Sequence, residues 1–309
     1  MIINRRRHAL RGALVATAVT VAAATAAGTA LASGAPSGAE AATRASAEHK
    51  AAEAPRAGAF DAQDGPEDMV VFPMFGTHKK TTNLTVFAPT FKGGFARAED
   101  TGVSFSAFSD WIFTANANHG SWALYKDGRL TYNWDDEFDI HEKQVGTGWG
   151  TYTTVLSPGS IGGAGDADLL GVDKSGVLWS YLGYPDGRVT ARTKVGGGWG
   201  AYNQIAGYGD LTGDGKADIV AKDKSGYLWL YKGTGNYKAP FAGRTKIGGG
   251  WGAYDRILSA GDLELDGTTD LIARKPNGEL YRYSGTGNAA APFKKPVKIG
   301  TGFQNYNLL

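Results

Sequence analysis

Short apolar runs alternate with glycine-rich turns through the C-terminal half of the chain. In the unit that begins at residue 218, apolar or aromatic residues dominate residues 218–223 and 227–231, and extended segments follow at residues 244–248 and 254–258. Aromatic residues at every second position lie on one face of a strand, and the runs do not follow a helical period. The pattern predicts four short antiparallel strands per unit.

The unit recurs at a nearly fixed period. Trp-Gly-Thr-Tyr at residues 149–152 returns as Trp-Gly-Ala-Tyr at 199–202 and 251–254, and as Phe-Gln-Asn-Tyr at 303–306, in steps of 50, 52 and 52 residues. Four-stranded units of about 40 to 50 residues that repeat around a ring are the blades of a β-propeller. The sequence therefore predicts an all-β fold, a propeller of five blades with four antiparallel strands each.

The blade count depends on the N-terminal half, where the repeat is worn. One worn copy spans residues 111–145, and further strand candidates lie at residues 69–72, 84–88 and 93–95. The last four residues, 306–309, form a strand with no unit of its own. If that strand pairs with the incomplete first unit, the ring closes and the open sheet edges disappear. A six-bladed or open arrangement, with unrecognised strands within residues 95–110, remains an alternative.

Two local patterns predict details of each blade. The pairs Asp-Gly, Ser-Gly and Asn-Gly at residues 127–128, 175–176, 225–226 and 277–278 favour two-residue hairpin turns of the primed types. Repeated aromatic residues divide into two groups. We expect those on the second strand of each repeat unit to pack in the core, and those after the glycine-rich turns to be exposed to a ligand; the first group is Trp179, Trp229, Tyr181 and Tyr231, and the second is Trp149, Trp199 and Trp251.

Three segments are expected along the chain. Residues 1–32 are typical of a secretion signal, because a basic start precedes an apolar stretch at 13–27 and a small-residue cleavage site at 30–32. Residues 33–65, rich in Ala, Gly and Pro, predict a disordered linker. The propeller follows at 66–309, degenerate over 66–167 and clear over 168–309. We expect an extracellular protein, exported by the general secretory route or, less in keeping with the sequence, by the twin-arginine route.

Charge and cysteine content limit the partners. The chain has 32 basic and 30 acidic residues, and its first 32 residues contain four arginines and no acid, which leaves 28 basic against 30 acidic residues. This near balance argues against a nucleic-acid partner, because nucleic-acid binding requires a strongly basic surface. The apolar stretch is too short for an integral membrane span. With no cysteine, a lipoprotein anchor and a disulfide framework are excluded.

Two loops, 52 residues apart, carry acidic side chains at alternate positions. The spacing is that of the first five ligands of an EF-hand loop, with a glycine at position 6 and a backbone carbonyl offered at position 7. Without a cation, carboxylates that converge would repel one another. The sequence predicts two Ca²⁺ sites, or, as the alternative, solvated acidic turns. The expected ligands are Asp210, Thr212, Asp214, Lys216 (carbonyl) and Asp218 in the first loop, and Asp262, Glu264, Asp266, Thr268 (carbonyl) and Asp270 in the second.

A third copy of this loop, at residues 160–168, has lost most of the pattern. It keeps the final acid, Asp168, together with Asp166 at position 7. We expect no strong metal site there.

Residues 209–218, followed by Ile219 and Val220, resemble the FG-GAP or VCBS-type repeat of integrin-like propellers and of many exported bacterial proteins. The resemblance implies that the two acidic loops bind calcium through the ligands named for each loop. The Gly-Gly-Gly-Trp segments at 196–199 and 248–251, the period and the five units are also similar to the tachylectin five-bladed lectin propeller. That weaker resemblance implies a carbohydrate ligand.

The functional hypothesis is a secreted, monomeric, calcium-binding propeller without catalytic residues, which binds carbohydrate or a cell-surface polymer. His78, His119 and His141 are dispersed and lack the spacing of a metal or catalytic site. Two alternatives remain. One is a hydrolase or lyase that uses the acidic segment 135–142 as its active site, and the other is a structural or adhesive protein of the cell exterior.

Overall fold

The computed structural model describes residues 71–113, 120–135 and 140–309, with the backbone alone at residues 135 and 140. The predicted signal (1–32) and linker (33–65) lie outside the described residues. The described residues form five antiparallel sheets of four strands each, and all five contribute to the wall of one central cavity. The predicted all-β, five-bladed propeller is confirmed, and the six-bladed alternative is wrong.

Each blade is one sheet, in which neighbouring strands are hydrogen-bonded. In sheet order, blade 1 contains β20 (Tyr306–Leu308), β1 (Met74–His78), β2 (Asn83–Phe87) and β3 (Glu99–Ser104). Blade 2 contains β4 (Phe108–Phe113), β5 (Ser121–Tyr125), β6 (Leu130–Asp135) and β7 (Ile140–Gly146). Blade 3 contains β8 (Tyr152–Gly159), β9 (Asp168–Asp173), β10 (Leu178–Tyr181) and β11 (Thr193–Gly196).

The two blades with the clearest repeats complete the ring. Blade 4 contains β12 (Tyr202–Ala206), β13 (Ile219–Asp223), β14 (Leu228–Tyr231) and β15 (Thr245–Gly248). Blade 5 contains β16 (Arg256–Leu258), β17 (Leu271–Arg274), β18 (Leu280–Tyr283) and β19 (Val297–Gly300). A short 3₁₀ helix precedes the first strand of four sheets, at Trp149–Thr151, Trp199–Ala201, Trp251–Ala253 and Phe303–Asn305.

The C-terminal strand closes the ring. Strand β20 pairs antiparallel with β1, with Leu308 opposite Gly76 and Tyr306 opposite His78. One blade therefore combines the two ends of the propeller, as the unpaired last strand predicted. The closure removes the edge that β1 would otherwise expose.

Two of the three upstream strand candidates are wrong. The candidate at 84–88 corresponds to β2, but the other two strands of this blade lie later in the chain than the candidates at 69–72 and 93–95. Pro73 cannot donate a ladder hydrogen bond, so the strand begins after it. Strand β3 is a largely exposed edge strand with two acids, and it therefore has no apolar pattern to reveal it. Phe95 forms only an isolated bridge to Pro89.

The repeated tryptophans of the 3₁₀ helices lie in the core between blades. Trp149, Trp199 and Trp251 are 4%, 6% and 7% exposed, so the expectation that they face a ligand is wrong. The backbone N–H of Trp199 donates to the carbonyl oxygen of Gly176, in a hairpin turn of blade 3, at 2.9 Å. This bond fixes the 3₁₀ helix against the preceding blade. The ring centroid of each indole lies 4.5–4.6 Å from that of a tyrosine on the third strand of the same sheet, namely Tyr181, Tyr231 or Tyr283.

The hairpin turns have three residues rather than two, so the primed turns are a wrong prediction. The Gly176 N–H donates to Asp173 O at 2.9 Å, and the Asp173 N–H donates to Val177 O at 2.9 Å. Gly176 alone in this turn has positive φ, at 77°, whereas a type I′ turn needs it at both central residues. The arrangement is a type I turn followed by a left-handed glycine. The Asp173 carboxylate supports it by accepting the N–H groups of Ser175 and Val177.

Ring closure predicts unequal effects of two neighbouring substitutions. Leu308 is 5% exposed and packs with Met74 and Phe303, whereas Asn307 on the same strand is exposed. Leu308→Ala should lower the free energy of unfolding by about 2–5 kcal/mol, because it leaves a cavity in a buried cluster. Asn307→Ala should change it by less than about 0.5 kcal/mol. Urea unfolding measures both, and equal effects would contradict the closure.

Candidate metal centre

The first acidic loop, residues 210–218, joins β12 to β13 and curls around the carboxylate of Asp210. Asp210 Oδ1 accepts the N–H groups of Thr212 at 2.8 Å and Gly213 at 2.7 Å, and Oδ2 accepts the N–H of Gly215 at 2.6 Å. A carboxylate has about four acceptor positions, and these three N–H groups occupy three of them. The local sequence favours this curl because Asp readily hydrogen-bonds to backbone N–H groups two or three residues ahead.

Asp218 forms the buried floor of the same loop. It is fully buried; its Oδ2 accepts the Leu211 N–H at 3.0 Å, and its Oδ1 accepts the Gly233 N–H at 2.7 Å. Burial raises the pKa of Asp218 to about 6, although the hydrogen bond from Gly233 acts in the opposite direction and the charge of Asp210 adds to the rise. Leu211 is 1% exposed and packs in the hydrophobic core.

Asp214 completes a cluster with the other two acids. It is exposed, its Oδ1 accepts the Lys216 N–H at 3.2 Å, and its Oδ2 lies 3.1 Å from Lys232 Nζ. One carboxylate oxygen from each of Asp210, Asp214 and Asp218 lies within 4.8 Å of the others. Three hard oxygen donors at this separation suit Ca²⁺, which takes six to eight oxygen ligands. The fit of the donor set is therefore good.

The remaining two expected ligands of this loop are Thr212 and Lys216. Thr212 is 7% exposed, and its Oγ1 lies 3.5 Å from Asp210 Oδ1. Lys216 has an exposed side chain, and its expected contribution is its carbonyl oxygen.

The second acidic loop, residues 262–270, directs two of its acids to basic side chains. Glu264 Oε2 lies 2.6 Å from Arg282 Nη2, and Asp266 Oδ2 lies 3.0 Å from Lys294 Nζ. Asp266 also accepts the N–H of Thr268 at 3.1 Å. Of the acids and histidines that the structure describes, only the group in the first loop brings three ligand atoms together.

The other two acids of the second loop repeat the pattern of the first. Asp262 is 3% exposed and accepts the N–H groups of Asp266 at 3.1 Å and Gly267 at 2.8 Å. Asp270 accepts the N–H groups of Leu263 at 3.0 Å and Gly285 at 3.1 Å. Burial is the main cause that raises the pKa of both carboxyls, that of Asp270 to about 7.

A signal in the sequence distinguishes the two loops. At the positions 52 residues before Arg282 and Lys294, blade 4 has Leu230 and Ala242. The bases that hold Glu264 and Asp266 therefore have no counterpart around the first loop, where Lys232 is the base that contacts a carboxylate of the group.

The last acid of each loop has a structural role that the sequence interpretation missed. Asp168, in the loop that lost the acidic pattern, accepts the N–H groups of Ile161 at 2.7 Å and Gly183 at 2.8 Å. Asp218 and Asp270 make the same two bonds, and all three residues are 0% exposed. The retention of Asp168 in a loop without its other acids was the available signal.

The acidic segment 135–142 is described only in part, because residues 136–139 lie outside the described residues. Glu142 on β7 accepts the Tyr125 hydroxyl at 2.7 Å, and the His141 ring stacks on Trp134 with ring centroids 5.1 Å apart. Both side chains therefore take part in packing around blade 2.

The fold and the acidic loops define a class of protein: a β-propeller with repeated acidic loops, which is a binding or scaffold fold. Within it, residues 210–273 match the family model described as an FG-GAP-like repeat. The match begins at Asp210, the first residue of the first loop, contains the whole second loop and ends within β17. FG-GAP repeats are associated with calcium binding.

Several solved structures are similar to this chain at low sequence identity. Human WBSCR16 is 12% identical, with 74% of this chain and 65% of that chain covered and a TM-score of 0.32. Prp20p from Saccharomyces cerevisiae is 11% identical, with 72% and 60% covered and a TM-score of 0.33. A mutant of AofleA from Arthrobotrys oligospora is 12% identical, with 75% and 73% covered and a TM-score of 0.45.

The chain thus spans less than two thirds of the length of WBSCR16 and of Prp20p. No curated protein matches the chain significantly. Within the described ranges, no helix has the length and apolar character needed to cross a membrane.

Asp168 predicts a pH dependence of stability. Burial raises the pKa of Asp168 to about 7, above the ordinary value of 3.8, against the hydrogen bonds from Gly183 and Ile161. The folded state therefore takes up a proton near pH 7 that the unfolded chain does not, and the stability from this group grows as the pH falls from 8 to 5.

Replacing this carboxyl should weaken that trend. Asp168→Asn keeps the shape but turns an N–H donor towards one of the two N–H groups, so it should cost about 1–3 kcal/mol at pH 6 and less at pH 8. Urea unfolding of both proteins at the two pH values measures the difference. An equal cost at pH 6 and pH 8 would contradict the raised pKa.

Proposed function

We propose that this protein is a secreted propeller that binds calcium in its acidic loops and acts as a non-catalytic binding module for carbohydrate or a cell-surface polymer. The observation that carries the proposal is the cluster of Asp210, Asp214 and Asp218, whose oxygens lie within 4.8 Å of one another. The basic and apolar start of the chain supports secretion.

The first loop is positioned to hold a calcium ion at the contact between two blades. Gly213 lies so close to blade 5 that a Cβ atom on it would be 2.4 Å from Gly287 O. Asp210, Asp214 and Asp218 would bind the ion, with the Thr212 hydroxyl and the Lys216 carbonyl as further oxygen donors. The bound ion would supply the positive charge that three adjacent carboxylates lack. An ordered loop at this position would stiffen the contact between blades 4 and 5.

The second loop would hold a second and weaker ion. Its donors are Asp262, Glu264, Asp266 and Asp270, with the Thr268 carbonyl. Arg282 and Lys294 already neutralise Glu264 and Asp266, so calcium must displace these ion pairs before it gains both ligands. Competition of this kind lowers affinity.

An arginine–tryptophan cluster, in which an arginine stacks on a tryptophan beside two tyrosine hydroxyls, is repeated in blades 3 and 4 and supports a saccharide ligand. In blade 4 the Arg244 guanidinium stacks 4.1 Å from the Trp229 ring and donates to the Tyr202 hydroxyl at 2.6 Å. The Tyr202 and Tyr231 hydroxyls lie 2.6 Å apart. Guanidinium groups offer N–H donors to sugar hydroxyls, and phenol hydroxyls offer both a donor and an acceptor.

Blade 3 repeats the arginine–tryptophan cluster with the same residue types. The Arg192 guanidinium lies 4.1 Å from the Trp179 ring and is hydrogen-bonded to Tyr152, whose hydroxyl contacts that of Tyr181. Both arginines are exposed. Two equivalent arginine–tryptophan clusters around one ring would allow a polymer to bind at more than one point.

Calcium binding should depend on Asp214. In the wild-type protein, Ca²⁺ at a hundredfold excess over its Kd should stabilise the fold by about 2.7 kcal/mol, and EDTA should remove that gain. Asp214→Asn should abolish the tighter site by removing one charged ligand, while the weaker site persists. Calorimetry gives the stoichiometry and thermal unfolding gives the stabilisation.

Asp186→Asn is the matched control for this experiment. Asp186 is also exposed and also paired with a base, Arg188, at 2.6 Å, but it lies outside both acidic loops. It should leave calcium binding unchanged. A wild-type melting temperature that does not respond to EDTA or to Ca²⁺ would refute the metal site.

Carbohydrate binding should depend on the stacked arginines. On a glycan array, the wild-type protein should bind a defined set of glycans, and the double variant Arg192→Ala, Arg244→Ala should lose that signal. Lys224 is an exposed basic residue outside the arginine–tryptophan clusters. The variant Lys224→Ala is therefore the control for loss of charge alone and should bind normally. If the wild-type protein binds no glycan, the ligand class is wrong and the adhesive or scaffold role takes its place.

A further inference from the structure

The centre of the ring contains a cavity of about 210 Å³. Its wall is formed by the first strands of blades 2 to 5 with the residues adjoining them, and in blade 1 by residues 72–75 and Leu309, so it is the central channel of the propeller. The wall combines polar and apolar surface, with Phe72, Phe113 and Ile205 among the apolar lining residues. Two charged side chains, Asp110 on β4 and Arg256 on β16, also line it.

Arg256 has an unmet requirement for an acceptor. Its Nε atom is buried and has no hydrogen-bond partner, and the same holds for Nε1 of Trp111, a second lining residue. A buried donor without a partner costs about 1–3 kcal/mol, and more when it is charged. Such a group in a native structure therefore calls for an explanation, such as a bound molecule.

The nearby acids do not supply the missing partner. Asp255 is held by Arg274 in a two-pronged ion pair, with distances of 2.9 and 3.0 Å. Asp110 attracts Arg256 electrostatically, but its Oδ1 accepts the Trp111 N–H at 2.9 Å, and the described side chains show no ion pair within 4.0 Å between Asp110 and Arg256. Burial raises the pKa of the Asp110 carboxyl to about 6 and lowers the pKa of the Arg256 guanidinium. Both shifts are those of charges with incomplete compensation.

From this arrangement we propose that the central channel binds a small molecule that carries a carboxylate, and that Arg256 is the residue that binds it. A guanidinium presents parallel N–H groups that match the two oxygens of a carboxylate. An incoming anion would offset the positive charge of the Arg256 guanidinium. The apolar residues of the wall would contact the carbon skeleton of the ligand.

The size of the channel limits the ligand. A volume of about 210 Å³ corresponds to roughly seven water molecules at about 30 Å³ each. This is enough for an organic acid from the size of acetate up to that of a single sugar acid. The channel site is separate from the acidic loops and from the arginine–tryptophan clusters. The proposal of a carboxylate ligand is therefore independent of calcium and glycan binding.

Calorimetry with three probes at constant ionic strength tests the proposal. Sodium acetate and sodium glucuronate should each bind the wild-type protein, with chloride as the background salt. Glucuronate should compete with acetate, whereas glucose, which lacks the carboxylate, should not. Acetate and glucuronate together distinguish a site for any small carboxylate from one that prefers a sugar acid. If neither carboxylate binds more than chloride accounts for, the channel holds only water and the proposal is wrong.

Variants assign the site to the channel. Arg256→Leu should weaken carboxylate binding at least about tenfold, because it removes a charge-assisted pair of hydrogen bonds. Arg97→Leu, which removes an exposed arginine outside the channel, should leave it unchanged. Asp110→Asn should tighten binding severalfold, since it removes the negative charge that faces the ligand.

Asp110→Asn keeps the proposal testable if Arg256→Leu does not fold. Weaker or unchanged binding by Asp110→Asn would overturn the assignment, and so would wild-type affinity in Arg256→Leu.

Discussion

The fold depends on a buried carboxylate that ties two loops of the same blade together. Asp168, Asp218 and Asp270 each accept one N–H from their own loop and one from the connection that follows the third strand of the sheet. Hydrogen bonds to a charged acceptor contribute about 1.5–3 kcal/mol each, which offsets part of the cost of burying the carboxylate. The candidate calcium site is therefore built on a residue that the blade needs with or without metal.

The two acidic loops show two ways to compensate the same charge. Around the second loop, Arg282 and Lys294 bind Glu264 and Asp266, so basic side chains of the chain neutralise carboxylates directly. Around the first loop, Leu230 and Ala242 stand at the corresponding positions, and three carboxylates remain close together with one half-buried lysine, Lys232. A mobile cation contributes most where the protein supplies the fewest fixed ones. This difference favours the first loop as the tighter site.

Much of the fold could be predicted because the repeat carries its own evidence. The recurring Trp-Gly-Ala-Tyr segment and the unpaired strand at residues 306–309 indicated both the blades and their closure. The errors arose where one pattern admits two geometries. Ser-Gly and Asn-Gly pairs occur in two-residue turns and in three-residue turns that end in a left-handed glycine, and only the hydrogen bond from Asp173 to Val177 decides between them. Trp199 was misjudged because the 3₁₀ helix that buries it has no sequence period of its own.

Contacts between blades determine how far a bound ion can act. The loop of blade 3 approaches Gly235 of blade 4, the loop of blade 4 approaches Gly287 of blade 5, and Leu263 O of blade 5 accepts the Gly93 N–H of blade 1 at 2.9 Å. Each acidic or formerly acidic loop therefore leans on the next blade. At the seam between blades 5 and 1 the backbone hydrogen bond already fixes the contact. At the seam between blades 4 and 5 the loop is itself the candidate metal site, and it contacts blade 5 through Gly213, which has no side chain. A bound calcium ion would therefore order this contact.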